Sequence, residues 1–297
     1  MKISILQITK DCNQNCFYCT RERNEEELSF QDIKGKIDSL DSDIEQIIIT
    51  GGEPTLNKDL LDIIKYSKRK IDRIHLQTNG INLENIEFCK SIIDSGITSC
   101  LIALPSFDED QCDLISSTKN ILAKKIKAIE NMSRFQNIDV GVVFVVNKYN
   151  YKNFPEYVNL ISQISRDIYI QITYMIHYVQ DIEKIRPKMI EYSKFIPFLD
   201  EGIKICKQKN MEYRIDGFPL CLVSKYLKNV SDLREHTYDF TQDFIDDERV
   251  EYNSDNYNGK EHIKTEICKD CKLSSSCKGI YEYYAKLFGT NELKKII

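Results

Sequence analysis

Ile3-Ser4-Ile5-Leu6-Gln7-Ile8-Thr9, then Lys10-Asp11, then Cys12-Asn13-Gln14-Asn15-Cys16-Phe17-Tyr18-Cys19, is the stretch on which the reading of this chain turns. The first seven residues are apolar and β-branched over a strand's length. The rest places three thiols on one tight loop with the spacing C-x3-C-x2-C. Structural zinc sites usually take four ligands, with C-x2-C pairs dominating their spacings. No histidine stands near these three cysteines, so a tetrahedral ion would be one ligand short. A four-iron cluster held by three thiolates instead keeps one iron open for chemistry. A zinc or redox site is the alternative reading of the loop.

Outward from this loop the pattern repeats. Strand-like runs occupy roughly Ile3–Thr9, Ile44–Thr50, Arg73–Thr78, Thr98–Pro105, Asp139–Asn147 and Asp167–His177. Stretches of helical periodicity lie between them at Phe30–Leu40, Leu60–Lys70, Ile86–Ser95, Ile121–Phe135 and Phe154–Ile164, with Ser29 as an N-cap for the first. Strand alternating with helix predicts an α/β fold with a parallel sheet and right-handed crossovers. Six units of about 30 residues each match three-quarters of an eight-unit barrel. The expected architecture is a partial (β/α)6 TIM-type barrel with a small C-terminal domain; spacing alone also admits an open doubly wound sheet. The expected division is residues 1–180 for the barrel, 181–210 for a connecting helix around Tyr192–Lys209, and 211–297 for the C-terminal module. That module opens with a short strand at Glu212–Ile215. It continues through a polar stretch, Asp232–Lys260, that reads as loops or a hairpin, and ends in a helix near Ile280–Phe288.

The chain has 297 residues, 42% hydrophobic and 29% charged, with a net charge of −5. This is ordinary globular composition, long enough for a sizeable core. The acidic balance argues against a nucleic-acid partner. No apolar run of about 18 residues predicts a membrane span. Met1–Leu6 is too short for a signal peptide, so a cytoplasmic protein is expected. Eleven cysteines in a reducing compartment then read as metal or cluster ligands where they are closely spaced. Cys89, Cys100, Cys112 and Cys206 are scattered singly and read as packing residues.

The cysteine loop, with aromatic Tyr18 just before its third cysteine, resembles the signature of the radical S-adenosylmethionine (radical SAM) superfamily. Thr50-Gly51-Gly52-Glu53-Pro54-Thr55, closing the second strand, resembles the family's GGEP motif, and Gln77-Thr78-Asn79-Gly80 resembles its TNG turn. The resemblance implies that Cys12, Cys16 and Cys19 hold a catalytic 4Fe–4S cluster whose fourth iron is chelated by S-adenosylmethionine (SAM). It implies that Gly51, Gly52 and Glu53, in the turn completed by Pro54, hold SAM's amino group. It places Asn79, Ser106 and Asn147, at the ends of the third, fourth and fifth strands, against SAM's ribose and carboxylate. Ordinary turn chemistry is the competing explanation for those three. His177 is a further strand-end candidate, with a structural role as its alternative.

Near the C-terminus, Cys268-Lys269-Asp270-Cys271 and Cys277 form C-x2-C-x5-C, and Cys221 stands 47 positions upstream of Cys268. Four cysteines would saturate a zinc ion or a second iron–sulfur cluster. Behind a radical SAM core, this segment resembles the shortened auxiliary-cluster module called twitch, related to the longer SPASM module. The expected cofactors are therefore SAM, a catalytic 4Fe–4S cluster and a second, auxiliary 4Fe–4S cluster.

The family chemistry implies one-electron cleavage of SAM to methionine and a 5′-deoxyadenosyl radical, which abstracts hydrogen from substrate. The reductant would be a partner such as flavodoxin or ferredoxin. Two substrate classes fit: a ribosomal peptide undergoing epimerisation or crosslinking, or a small molecule such as an aminocyclitol alcohol or nucleotide-derived precursor. A zinc-stabilised non-catalytic binding module is the remaining reading. Cys112 is a conceivable hydrogen donor, although packing explains it as well.

Overall fold

The computed structural model describes residues 2–19, 28–175, 185–231, 239–243, 249–252 and 262–297, with 239–243 and 249–252 described as backbone. His177 lies outside the described residues. Seven strands run parallel in sequential order: β1 Lys2–Gln7, β2 Ile44–Thr50, β3 Arg73–Thr78, β4 Ser99–Ala103, β5 Asp139–Val146, β6 Tyr169–Tyr174 and β7 Tyr213–Asp216. An order without reversal is the winding of a barrel sheet; a doubly wound sheet reverses at a switch point. The α/β partial barrel expected from the sequence is therefore the fold, and its run of sequentially ordered parallel strands extends past the six expected to include β7.

The polar 232–260 stretch contributes the hairpin left open by the sequence. Strand β8, Asp239–Asp243, pairs parallel with β1, and β9, Arg249–Tyr252, pairs antiparallel with β8. The sheet thus continues beyond residue 211, through β7 at one edge and through β8 and β9 at the other. The short strand expected at Glu212–Ile215 is β7, but its pairing with β6, and the pairing of polar β8 with β1, carry no periodic signal in the sequence.

Helices cover the outer face: α1 Phe30–Asp38, α2 Leu60–Lys68, α3 Ile86–Ser95, α4 Glu109–Ser116, α5 Leu122–Met132, α6 Phe154–Ile164 and α7 Tyr192–Gln208. Ser29 caps α1 as expected, accepting from the Asp32 N–H in a capping box. Helix α4 was absent from the sequence reading, since only its N-cap, Asp108, signals it; the Asp108 side chain accepts from the Gln111 N–H.

Alternation along the strands sorts the core. Ile47, Ile49, Ile74, Leu76, Ile102, Val142, Phe144, Ile170 and Ile172 face the helices and are buried against Ile33, Ile63, Ile92, Ile129 and Ile161. Each such side chain contributes roughly 1.5–3 kcal/mol of transfer energy. The alternate residues (Ile5, Ile48, Gln77, Ala103, Val143, Gln171 and Thr173) are only half-buried, leaving the concave face open. Cys89, Cys100, Cys112 and Cys206 are fully buried in the core.

A small C-terminal unit follows, with β10 His262–Ile263 antiparallel to β11 Ile280–Tyr281 and short helices α8 Glu266–Lys269 and α9 Glu282–Phe288. Tyr284 fixes this unit to the barrel. Its ring stacks on Tyr192 at 4.1 Å, its hydroxyl accepts from the Tyr192 N–H at 2.9 Å, and neighbouring Tyr283 donates to the Met175 carbonyl. Among the described residues, no helix is long and apolar enough to cross a membrane.

Candidate active site

The cysteine loop leaves β1 at the carboxyl ends of the strands and is held from two sides. On one side the β2 turn reaches it: the Gly52 N–H donates to the Thr9 carbonyl at 2.6 Å, and the Glu53 N–H to the Asp11 carbonyl at 2.7 Å. On the other side, the loop's Asn15 and Phe17 N–H groups donate to the Ser116 and Ile115 carbonyls at the end of α4. The two glycines follow from this approach. A Cβ on Gly51, whose φ is +148°, would strike the Thr9 carbonyl oxygen, and one on Gly52 would strike that of Asp11. Gly51 and Gly52 thus let the cysteine loop sit on the second strand's turn.

Glu53 is completely buried, and its carboxylate is consumed by protein donors. Oε1 accepts from the Thr55 N–H at 3.1 Å, the Thr55 hydroxyl at 2.6 Å and the Thr78 hydroxyl at 2.6 Å; Oε2 accepts from the Asn79 N–H at 2.6 Å. A buried carboxylate needs such charge-assisted partners. Pro54, buried, starts the short 3-10 turn Pro54–Leu56 that presents Thr55. Glu53 therefore ties the β2 end to the β3 end. Asn79 carries the tie onward: its side-chain N–H donates to Asn13 Oδ1 at 2.7 Å and lies 3.9 Å from the Cys12 thiol.

Beneath the loop lies a residue that sequence reasoning missed. Lys125, from α5, is fully buried, and its ammonium donates to the Asn79 carbonyl at 2.6 Å, the Ala103 carbonyl at 2.7 Å and Gln14 Oε1 at 3.5 Å. The signal was present: Leu122, Lys125, Ile129 and Met132 share the buried stripe of α5, where lysine is out of place. Burial pushes the Cys16 thiol up to about 11, opposed by the Lys125 charge. Tyr18 bonds to the Cys16 thiol, and burial raises its phenol well above the ordinary range.

The other strand-end candidates are engaged in turns. The Ser106 hydroxyl donates to Gln111 Oε1 and accepts from the Asp108 N–H, setting up the start of α4. Asn147 is buried; its amide donates to the Val145 carbonyl and its Oδ1 accepts from the Tyr149 N–H. Asn150, unmarked in the sequence, links two strand ends by donating to the Pro105 and Val145 carbonyls.

The C-terminal cysteines are gathered from two segments. Cys221, in the loop after β7, lies within electrostatic range of Cys277, Cys268 and Cys271. Their sulfurs meet backbone donors: Cys271 the Ile296 N–H at 3.4 Å, Cys221 that of Lys294, and Cys277 those of Leu220 and Gly279. Burial raises the Cys221 and Cys277 thiols.

Among the described residues, no group of three or more Cys, His, Asp or Glu is gathered tightly enough to hold a single metal ion. A cubane spreads its thiolates over separate irons and demands no such convergence. At the first loop, Cys12 and Cys19 both bear on Cys16, and the buried Gln14 side-chain N–H has no acceptor. Sulfur or sulfide of a cluster would supply one, so these residues fit that group.

Residues 6–161 match the model of the radical SAM superfamily. The chain is 42% identical over 143 residues to a probable GTP 3′,8-cyclase of Methanococcus maripaludis, covering 46% of each chain. It is 34% identical over 138 residues to a 7,8-dihydro-6-hydroxymethylpterin dimethyltransferase of Methanocaldococcus jannaschii, covering 43% of this chain and 27% of that one. The chain thus spans less than half the length of these curated relatives. Among solved structures, Streptococcus suis SuiB bound to S-adenosylmethionine superposes with a TM-score of 0.68 at 14% identity, over 99% of this chain and 76% of that one. A match to more than half of the sequence, on the segment that carries the cysteine loop, the GGEP turn and the barrel, shows that this chain belongs to the radical SAM superfamily of enzymes.

Proposed function

We propose that Cys12, Cys16 and Cys19 hold a 4Fe–4S cluster whose open iron receives SAM, and that the barrel's concave face receives the substrate. The observation that carries this is the three-thiol loop clamped by backbone hydrogen bonds to the GGEP turn on one side and to α4 on the other. When bound, the cluster delivers one electron to the SAM sulfonium, releasing methionine and a carbon radical that takes hydrogen from the substrate. The chain's own part is positional. Gly51 and Gly52 seat the loop, Glu53 locks the β2 and β3 ends together, Asn79 ties them to Cys12 and Asn13, and the barrel wall shields the reacting centre from water. Ser106 and Asn147 shape the β4 and β5 loops, which lets them present backbone rather than side chain to SAM.

A second cluster at Cys221, Cys268, Cys271 and Cys277 completes the reading. Backbone N–H groups directed at sulfur, as at Cys271 and Cys277, are a usual means of setting cluster potential. In this reading the C-terminal module takes up an electron when the substrate radical is oxidised, and flavodoxin or ferredoxin reduces the first cluster.

Peptide modification remains the proposed reaction class, supported by superposition over 74% of SuiB bound to its precursor peptide SuiA, at a TM-score of 0.67. Oxidation or rearrangement of a small molecule is the second reading, favoured by sequence likeness to proteins named for GTP and a pterin. One experiment separates them. Reduced, reconstituted protein with SAM is given deuterated peptide or deuterated nucleotide pools, and 5′-deoxyadenosine is assayed for deuterium. Label from peptides alone supports the first reading, and label from nucleotides alone refutes it.

A further inference from the structure

Among the described residues, Lys125 is the buried cation near the cysteine loop that the proposed chemistry leaves unused. Its ammonium meets three acceptors, the carbonyls of Asn79 and Ala103 and the side-chain oxygen of Gln14, at 2.6, 2.7 and 3.5 Å. An ammonium has three N–H groups and no lone pair, so it satisfies all three acceptors at once; a neutral amine would turn a lone pair toward one of them. These three acceptors favour the charged form, against burial, which lowers the Lys125 pKa. The same Gln14 oxygen lies 3.5 Å from the Cys16 sulfur, so the ammonium and that sulfur stand at most about 7 Å apart. The acidic counterweight, Glu53, is already saturated by Thr55, Thr78 and Asn79. No carboxylate is paired with Lys125 among its hydrogen bonds.

We propose that Lys125 is a positioning residue that raises the reduction potential of the cluster held by Cys12, Cys16 and Cys19, acting through Gln14 and its own buried charge. The physical basis is Coulombic. Reduction would add an electron to the cluster these thiols hold, and a fixed positive charge within about 7 Å of one of its sulfurs stabilises the more negative state. Gln14 extends the effect, because among the described residues its buried Nε2–H has no partner, which makes it available to a sulfur acceptor. Lys125 also grips the ends of β3 and β4, so cluster seating and cluster potential are set by one side chain.

The inference rests on the assignment of the three cysteines, and its test keeps the two apart. The midpoint potential of the reconstituted cluster is measured by redox titration followed by electron paramagnetic resonance, without SAM, in a background where Cys268 and Cys271 are alanine. Lys125→Met should retain four irons at the first site but lower the midpoint by a tenfold or greater change in the reduction equilibrium, about 59 mV for one electron. Lys125→Arg should restore most of the shift. Asn131→Ala, which removes the α5 contacts to the Leu83 and Glu84 carbonyls without touching charge, should leave the potential where it is. Gln14→Met serves if Lys125→Met does not fold, with a smaller shift of the same sign. An intact cluster whose potential is unmoved in Lys125→Met or Gln14→Met, or moved equally by Asn131→Ala, overturns the inference. Protein that takes up no iron at the first loop overturns the cysteine assignment instead.

Discussion

The two cysteine regions are built on opposite plans. At the N-terminal loop, three thiols lie within eight residues; long-range hydrogen bonds from the β2 turn hold the backbone just before them, and those to α4 hold the backbone between them. At the C-terminal module, four thiols come from two segments 47 positions apart, and backbone N–H groups point at the sulfurs themselves. In the proposed reading the first arrangement fixes a loop and leaves a ligand position free, whereas the second supplies four thiols and meets three of the sulfurs with backbone donors. An open iron belongs where a substrate must bind, and a closed, hydrogen-bonded set belongs where only an electron moves.

The comparison breaks most visibly under substitution of the loop's support. Gly52→Ala would drive a Cβ into the Asp11 carbonyl, where neither backbone can yield, and should abolish cluster assembly at the first loop while sparing the second. Iron content per chain should fall from about eight to about four. Cys271→Ala should remove a similar amount of iron from the other end, yet leave cleavage of SAM to 5′-deoxyadenosine intact; only the net product should disappear.

Glu53→Gln is a subtler strain on the first region. It discharges a buried carboxylate and sets an amide N–H against the donors of Thr55, Thr78 or Asn79. A loss of about 2–4 kcal/mol in unfolding free energy is expected, read by denaturant titration of the metal-free protein. Truncating Glu266, exposed in the second region and paired with Lys269, should move stability by less than about 0.5 kcal/mol.

A pH dependence beneath the first region is a further difference. Burial, helped by the nearby Arg214 charge, lowers His75 to about 4 from an ordinary 6.5. Its folded form is neutral and bonded to the Ser99 hydroxyl at 2.8 Å. The folded state binds the proton less readily than the unfolded chain, so this stabilisation is complete above about pH 6.5 and fades as pH falls toward 4. His75→Leu should flatten that part of the melting-temperature profile; an unchanged slope would remove His75 from the account.

Much of this was readable in the sequence, because β-branched runs and helical stripes obey their periods throughout the barrel. The cysteine loop and GGEP turn were legible for the same reason that they are specific: spacing and glycine are hard requirements. Glu53 was found, but the sequence could not show that three neighbours consume its carboxylate. Ser106 and Asn147 illustrate the limit, since a strand-end Ser or Asn reads alike whether it faces a ligand or bonds its own turn. Lys125 was legible in principle as a charged residue on an apolar stripe, yet its acceptors come from three separate elements. The strand at β7 was legible, but its place in the sheet was not, and polar β8 joined β1 through a pairing that short polar segments do not announce.

The central claim is that the first loop leaves an iron open for SAM. Electron paramagnetic resonance of the reduced first cluster, in protein with Cys268 and Cys271 replaced by alanine, tests it directly by comparing spectra before and after SAM is added. The predicted result is a signal that changes when SAM is added and that is absent altogether, with or without SAM, in Cys16→Ala. A signal indifferent to saturating SAM, or a loop that holds zinc under oxygen-free reconstitution, would contradict it.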